Sequence, residues 1–228
     1  MCASYGIDLV AETGPVPRVS RVRFGPMPEL EAPGNRERIE AWAASEGGRA
    51  RITGRIARNL NPLIRARRGA RELAFGWWWL HVNGRPAEYS AFNSRDDRLL
   101  ASWREPFQRR ALLPATWYVE KGRVFGLPEG EAFGIAAITA TVPQPDGGEL
   151  VTYSMVTRDA VGAAAETHPR MPLILPREFH DEWLDESRAG DAGLVASAKR
   201  ASERLAAVVR LVSRDGSKAA PPAQPVLF

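Results

Sequence analysis

Apolar positions along the chain fall in short clusters, and their spacing changes from region to region. Residues 35–46 carry Ile39 and Trp42 on one helical face. Asn35 is placed to cap the first turn and Gly47-Gly48 to end it, so a short helix is predicted. From Arg49 to Trp79, apolar clusters alternate with turn residues. Leu63-Ile64 and Leu73-Ala74-Phe75 read as strand cores joined by a hairpin turn at Arg67-Arg68-Gly69. Residues 94–110 space Leu99, Trp103 and Phe107 four apart behind Ser94, which predicts a helix. β-like runs follow at 111–119, 123–127, 132–141 and 150–157, with turns at Glu120-Lys121-Gly122 and Asp146-Gly147-Gly148. A short helix is expected at 159–165 and a strand at 173–175. Pro176 opens a helix over 177–187, a second runs through 191–203, and a last strand covers 206–213. The Pro- and Gly-rich stretch 3–34 reads as an extended arm, and 214–228, with Pro221, Pro222 and Pro225, as a flexible tail.

The sum is an α+β chain, a single domain over 1–213, with mainly antiparallel strands and peripheral helices. No regular β-α-β alternation and no glycine-rich phosphate loop are present, which argues against a doubly wound nucleotide fold. Zinc-type Cys/His spacing and the G-x-S-x-G elbow are also missing. Hydrophobic residues make up 44% and charged residues 25%, an ordinary globular balance. No apolar run reaches the roughly 18 residues of a membrane span, and the start lacks a signal-peptide pattern. A cytoplasmic protein is expected, with no membrane partner, no metal and no organic cofactor.

Charge and cysteine usage add two candidates. The net charge of +4 is modest, but eight arginines lie between Arg49 and Arg71 with no acidic residue before Glu72. Such a segment fits phosphate and fits a solvated arginine-rich surface equally well. The single cysteine excludes an intrachain disulfide. A lone thiol is usually a small inert hydrophobe, but Cys2 directly follows Met1. Removal of Met1 leaves an amine and a thiol on adjacent carbons, a unit that no internal cysteine has.

Four segments then stand together: Met1-Cys2, Asn93-Ser94-Arg95, the run Pro114-Ala115-Thr116-Trp117-Tyr118-Val119-Glu120, and His168-Pro169-Arg170-Met171-Pro172. In this order and at these separations they resemble the SRAP (SOS-response-associated peptidase) family. That family begins Met-Cys-Gly-Arg and carries Asn-Ala-Arg, then Pro-Ala-x-Gly-x-x-Glu-Trp, then His-x-Arg-Met-Pro. Asn59-Leu60-Asn61-Pro62, Gly76-Trp77, Trp103-Arg104 and Val212-Ser213 resemble its flanking segments, so the likeness runs from Cys2 to about Ser213. The chain departs from the pattern at Ala3-Ser4, at Trp117 in place of glycine and at Lys121 in place of tryptophan.

The resemblance implies a barrel-like core of antiparallel sheets. It also implies an abasic-site processing protein of the DNA damage response, a monomer that works on single-stranded DNA at the nucleoid. Cys2 would be the nucleophile, cross-linking to the aldehyde of a ring-opened abasic site as a thiazolidine. Asn93 would orient the N-terminus, Glu120 would shuttle protons, and His168 would favour the open sugar. Arg95, Arg170 and Arg104 would hold phosphates, and Trp77 and Trp78 would stack on a base or a duplex end. Each has a plainer reading. Asn93 is also a turn residue, Glu120 a hairpin residue, His168 a strand-entry residue bonded to backbone, and Arg170 a surface ion-pair partner. Alternation puts Trp77 and Trp79 on one strand face and Trp78 on the other, so at least one face is core. His81 and His180 read as ordinary surface residues. Two other functions compete: an N-terminal-nucleophile peptidase or amidohydrolase, whose peptidase role could be no more than removal of its own Met1, and a non-catalytic single-stranded DNA-binding module.

Overall fold

The structure, a computed structural model, describes residues 2–8 and 27–212. Its elements in chain order begin with β1 (Ser4–Gly6), α1 (Asn35–Glu46), β2 (Arg49–Arg51), β3 (Leu60–Arg67) and β4 (Ala70–Trp77). Next come β5 (His81–Val82), β6 (Arg85–Pro86), β7 (Asn93–Arg95), α2 (Leu99–Ser102), β8 (Arg110–Ala115), β9 (Trp117–Glu120) and β10 (Arg123–Gly126). The chain continues with β11 (Phe133–Pro143), β12 (Glu149–Asp159), α3 (Gly162–Ala165), β13 (Arg170–Pro172) and β14 (Ile174–Leu175). It closes with α4 (His180–Leu184), α5 (Ala192–Val208) and β15 (Arg210–Leu211).

Five strands close on themselves. β4, β3, β8, β11 and β12 follow one another round a ring, and β12 returns to β4 through a parallel pairing of Val151 with Gly76. The other four contacts of the ring are antiparallel. Closure satisfies both edges of each strand and leaves the ring no open ladder. β12 is longer than the ring needs. Beyond Tyr153 it takes β7 on one edge, pairing Met155 with Asn93, and β13 on the other, pairing Asp159 with Arg170. A second sheet, ordered β15-β10-β9-β1-β2, leans on the ring through the β8-β9 corner at Thr116.

The core sits where ring and sheet meet. Trp78 is fully buried and stacks on Tyr153 with centroids 6.1 Å apart and planes 8° apart. Tyr5 of β1 meets Trp78 edge-on at 5.0 Å, and its hydroxyl lies 2.7 Å from that of Tyr153. Burial of such rings dominates core energetics, and the hydroxyl pair removes the cost of hiding two polar tips. Tight hairpins shape the sheets. Arg68 and Gly69 (φ 54° and 78°), like Lys121 and Gly122 (φ 47° and 75°), both take the left-handed conformation of a two-residue turn.

Several expectations change. The 94–110 helix is broken into β7, a 3₁₀ turn at Asp96–Arg98, the four-residue α2 and another 3₁₀ turn at Pro106–Gln108. The helical backbone ends at Trp103 (φ −132°, ψ 27°), and Ser94 is a buried strand residue bonded to Ser154 rather than a cap. The run 177–187 is a 3₁₀ turn plus α4, and the next helix, capped by Asp191 on the Leu194 amide, runs on to Val208. The last strand is therefore only β15. At α1 the N-cap position is Gly34, and Asn35 donates to the Glu29 carbonyl instead. β1 lies inside the expected N-terminal arm, and the 214–228 tail lies outside the described residues.

Candidate active site

The overhang of β12 positions the site. β7, on one of its edges, presents Asn93, whose side-chain amide donates to the Cys2 carbonyl at 2.7 Å. Cys2 itself precedes β1, which pairs with β9 through Ser4 and Val119, so the last residue of β9, Glu120, lies at the Cys2 end of that pair. Glu120 is buried, and its Oε2 stands 4.0 Å from Nδ1 of His168. His168 sits on the loop from α3 into β13, on the other edge of the β12 overhang. Arg123 Nη1 donates to Thr167 Oγ1 at 3.1 Å, which ties that loop to the β9-β10 hairpin. Cys2, Asn93, Glu120 and His168 thus converge from four separate segments.

The electrostatics separate the two groups of an N-terminal cysteine. The Cys2 side chain is 1% exposed. Its Sγ lies 3.3 Å from the Ser4 carbonyl. Burial pushes the thiol up from 9.0 to about 12, and the nearby Glu120 carboxylate adds to the rise, against smaller lowering by the Ser4 and Val119 backbone. The thiol is therefore protonated at neutral pH. His168 Nδ1 lies 3.1 Å from both the amide and the carbonyl of Arg170, so the Arg170 backbone holds that side of the ring. Asn93 Oδ1 is buried and has no hydrogen-bond partner, an acceptor within the same residue that grips Cys2.

The residues expected to touch DNA fare differently. Trp77, Trp78 and Trp79 are all buried. The alternation holds, with Trp78 in the main core, but the other face is covered too, because Trp77 and Trp79 pack with Leu150, Ile52, Phe92 and Val142. No ring offers a base a free face, which corrects the stacking role expected of Trp77 and Trp78. Arg170 is not a surface residue. Its guanidinium is clamped by Asp96 and Asp159, each at 2.5 Å, and by the Thr157 carbonyl, so phosphate has no access to it. Arg95 is exposed and holds Asp97 with two hydrogen bonds. Arg104 is exposed just past α2. Within the arginine-rich segment, Arg65, Arg67 and Arg71 pair with Glu72, Glu149 and Glu29, whereas Arg51, Arg55 and Arg58 are exposed. Both remaining histidines are buried, not superficial. His81 lies edge-on to Trp77 with its proton affinity lowered by burial, and His180 faces the Leu175 carbonyl and packs on Gly134.

A cleft of about 510 Å³ lies at the far end of β1 from Cys2, lined by Asp8, Thr116, Trp117, Leu127 and Arg210 among others. It holds none of the four converging residues. Among the described residues no cluster of three or more His, Cys, Asp or Glu side chains is arranged to hold a metal, and no helix is long and apolar enough to cross a membrane.

The model of the SOS response associated peptidase (SRAP) family matches residues 55–215, well over half the chain. The chain belongs to the SRAP family. Membership ties it to the response to DNA damage from which the family takes its description. The match covers Asn93, Glu120 and His168 and begins after Cys2. Solved structures share the SRAP chain's fold at low identity. A protein from Bordetella bronchiseptica is 17% identical over 93% of this chain and all of its own, with a TM-score of 0.57. A phage-related protein from the same organism is 18% identical over 93% of this chain and 95% of its own, with a TM-score of 0.53. A protein from Bacteroides thetaiotaomicron is 22% identical over 66% of this chain and 71% of its own, with a TM-score of 0.51. At these identities the likeness is one of fold. No curated protein matches the chain.

Proposed function

We propose that the chain, once Met1 is removed, forms a covalent cross-link between Cys2 and the ring-opened aldehyde of an abasic site in single-stranded DNA. The observation that carries this reading is the convergence of Cys2, Asn93, Glu120 and His168 around one chain terminus.

The amine attacks first, because the thiol is buried and protonated while an α-amine, with an ordinary pKa of about 7.7–8.0, is already about a tenth to a sixth neutral at pH 7. Attack on the aldehyde carbon gives a carbinolamine, and loss of one water gives the imine. The sulfur then bonds to the imine carbon and a proton passes to the nitrogen, closing a five-membered thiazolidine. Asn93 holds the Cys2 carbonyl so that amine and thiol face the same carbon. Glu120 takes the thiol proton and supplies one for water loss. His168, its ring held at Nδ1 by the Arg170 backbone, donates to the sugar ring oxygen that must open. Arg95, Arg104, Arg51, Arg55 and Arg58 are the exposed cations available to phosphate.

The high thiol pKa counts against an amidohydrolase, which needs a thiolate or a sulfur readily deprotonated by its base. Burial of the three tryptophans counts against a pure binding module, which relies on stacking platforms. The test mixes protein of verified mass, lacking Met1, with an oligonucleotide bearing one abasic site or with an intact control, followed by denaturing electrophoresis. A shifted band confined to the abasic strand, and missing in Cys2→Ala, is expected. No band from protein lacking Met1 overturns the reading.

A further inference from the structure

A second cluster of charged side chains lies behind the site, on the overhang of β12. Asp96 directly follows β7, and its side chain is 1% exposed. One carboxylate oxygen meets Arg170 Nη2 at 2.5 Å, and the other meets Lys199 Nζ of α5 at 2.9 Å. Arg170 reaches on to Asp159 at the end of β12, and Lys199 lies 3.8 Å from the same carboxylate. Two acids balance two bases, so the cluster has no net charge to offer a phosphate. Its Arg170 Nε–H is buried without a hydrogen-bond partner and sealed from solvent.

The cluster links the two arms that carry the site. Asp96 belongs to the arm of Asn93, and Arg170 to the arm of His168; these arms occupy opposite edges of β12. The Arg170 backbone grips His168 Nδ1, its amide and its carbonyl each 3.1 Å away. An isolated carboxylate buried this deeply is costly, and one tied to two cations locks their positions. We infer that Asp96 is a positioning residue of the site: through Arg170 it fixes the ring orientation and tautomer of His168 relative to the Asn93-bound Cys2. The consequence for cross-linking rests on the function proposed above, whereas the effect on His168 does not.

The variant Asp96→Asn keeps shape and removes charge. In case it fails to fold, Lys199→Ala removes the half-exposed leg of the same cluster. Long-range ¹H–¹⁵N correlation of the imidazole nitrogens reads the tautomer directly, with His168→Gln assigning one signal of three histidines. The wild type is expected to show His168 as a single tautomer. Asp96→Asn should show exchange between both tautomers, and Lys199→Ala a smaller change in the same direction. Cross-linking to abasic single strands should slow about tenfold in Asp96→Asn, within the roughly hundredfold that a 1 Å misplacement can cost. Affinity for the intact strand should change less than twofold. An unchanged tautomer in folded variants overturns the inference. So does a greater than tenfold loss of affinity with a shallower salt dependence, which would make the cluster a phosphate site. If the wild type forms no cross-link, the proposed function fails while the tautomer result still judges Asp96.

Discussion

The buried thiol makes a prediction about alkaline stability that is independent of any DNA chemistry. Cys2 is held at about 12 in the folded chain against 9.0 when solvated. A group whose pKa is raised by folding contributes stability that is fully present below the unfolded value and is lost as pH rises towards the folded one. At pH 10 the unfolded thiol is about ten-elevenths ionised and the folded one about one per cent. The linkage is RT ln(11/1.01), about 1.4 kcal/mol of lost stability, rising to at most about 4 kcal/mol near pH 12. Burial also raises the Tyr5, Tyr118 and Tyr153 hydroxyls, so alkali weakens the fold through them as well. Comparison with Cys2→Ala cancels that shared loss, along with the pH-independent cost of removing the sulfur. The assay is urea unfolding of both proteins at pH 7.5 and pH 10. The wild type should lose about 1.4 kcal/mol more than Cys2→Ala between the two. Equal losses would refute the argument, as would thiolate absorbance developing between pH 8 and 9 in folded protein. Either result would also undercut the order of steps in which the amine leads and the sulfur follows.

The remaining predictions concern the network and the core. Asp96 is buried, which opposes ionisation, yet Arg170 and Lys199 outweigh that and hold its carboxyl below 3.8. Its stabilisation is thus present above pH 3.8 and lost as pH falls through the folded value, so the deficit of Asp96→Asn in urea unfolding should be larger at pH 7 than at pH 3. Trp78→Ala removes a fully buried ring that touches both Tyr5 and Tyr153 and should cost about 3–5 kcal/mol, with the urea midpoint as the measure. A loss under 1 kcal/mol would mean that the ring-to-sheet junction is not the core described above.

How far the chain could be read in advance depended on what each signal measures. β8, β11 and β12 were legible because their apolar runs are long and bounded by Gly, Asp and Lys turns. The helix expected at 94–110 failed although Leu99, Trp103 and Phe107 sit four apart and are all buried, because Leu99 opens α2, Trp103 caps its end and Phe107 lies in the 3₁₀ turn beyond. Spacing reports burial, and only the backbone decides whether one helix delivers it. Ring closure left no mark, since the parallel β4-β12 pairing joins residues 75 apart with no local signature. In the site, Cys2, Asn93, Glu120 and His168 were marked by order and motif. Asp96 was not, because a carboxylate beside Arg95 and Asp97 reads as solvated surface. Arg170 was misread for the same reason: neither of its acidic partners, Asp96 and Asp159, is near it in sequence. The two buried histidines were missed because a lone histidine carries no periodic label.

The overhang of β12 also sets the order in which the site can come into being. Cys2 leaves the ribosome first, yet Asn93 is 91 positions away and His168 lies further still, on the edge of a strand that ends at Asp159. A nascent chain emerged only as far as residue 150 has β2, β9, Asn93 and Glu120 but lacks nearly all of β12, and with it the closed ring and the His168 arm. The four residues can therefore be brought together only when synthesis of the domain is nearly done.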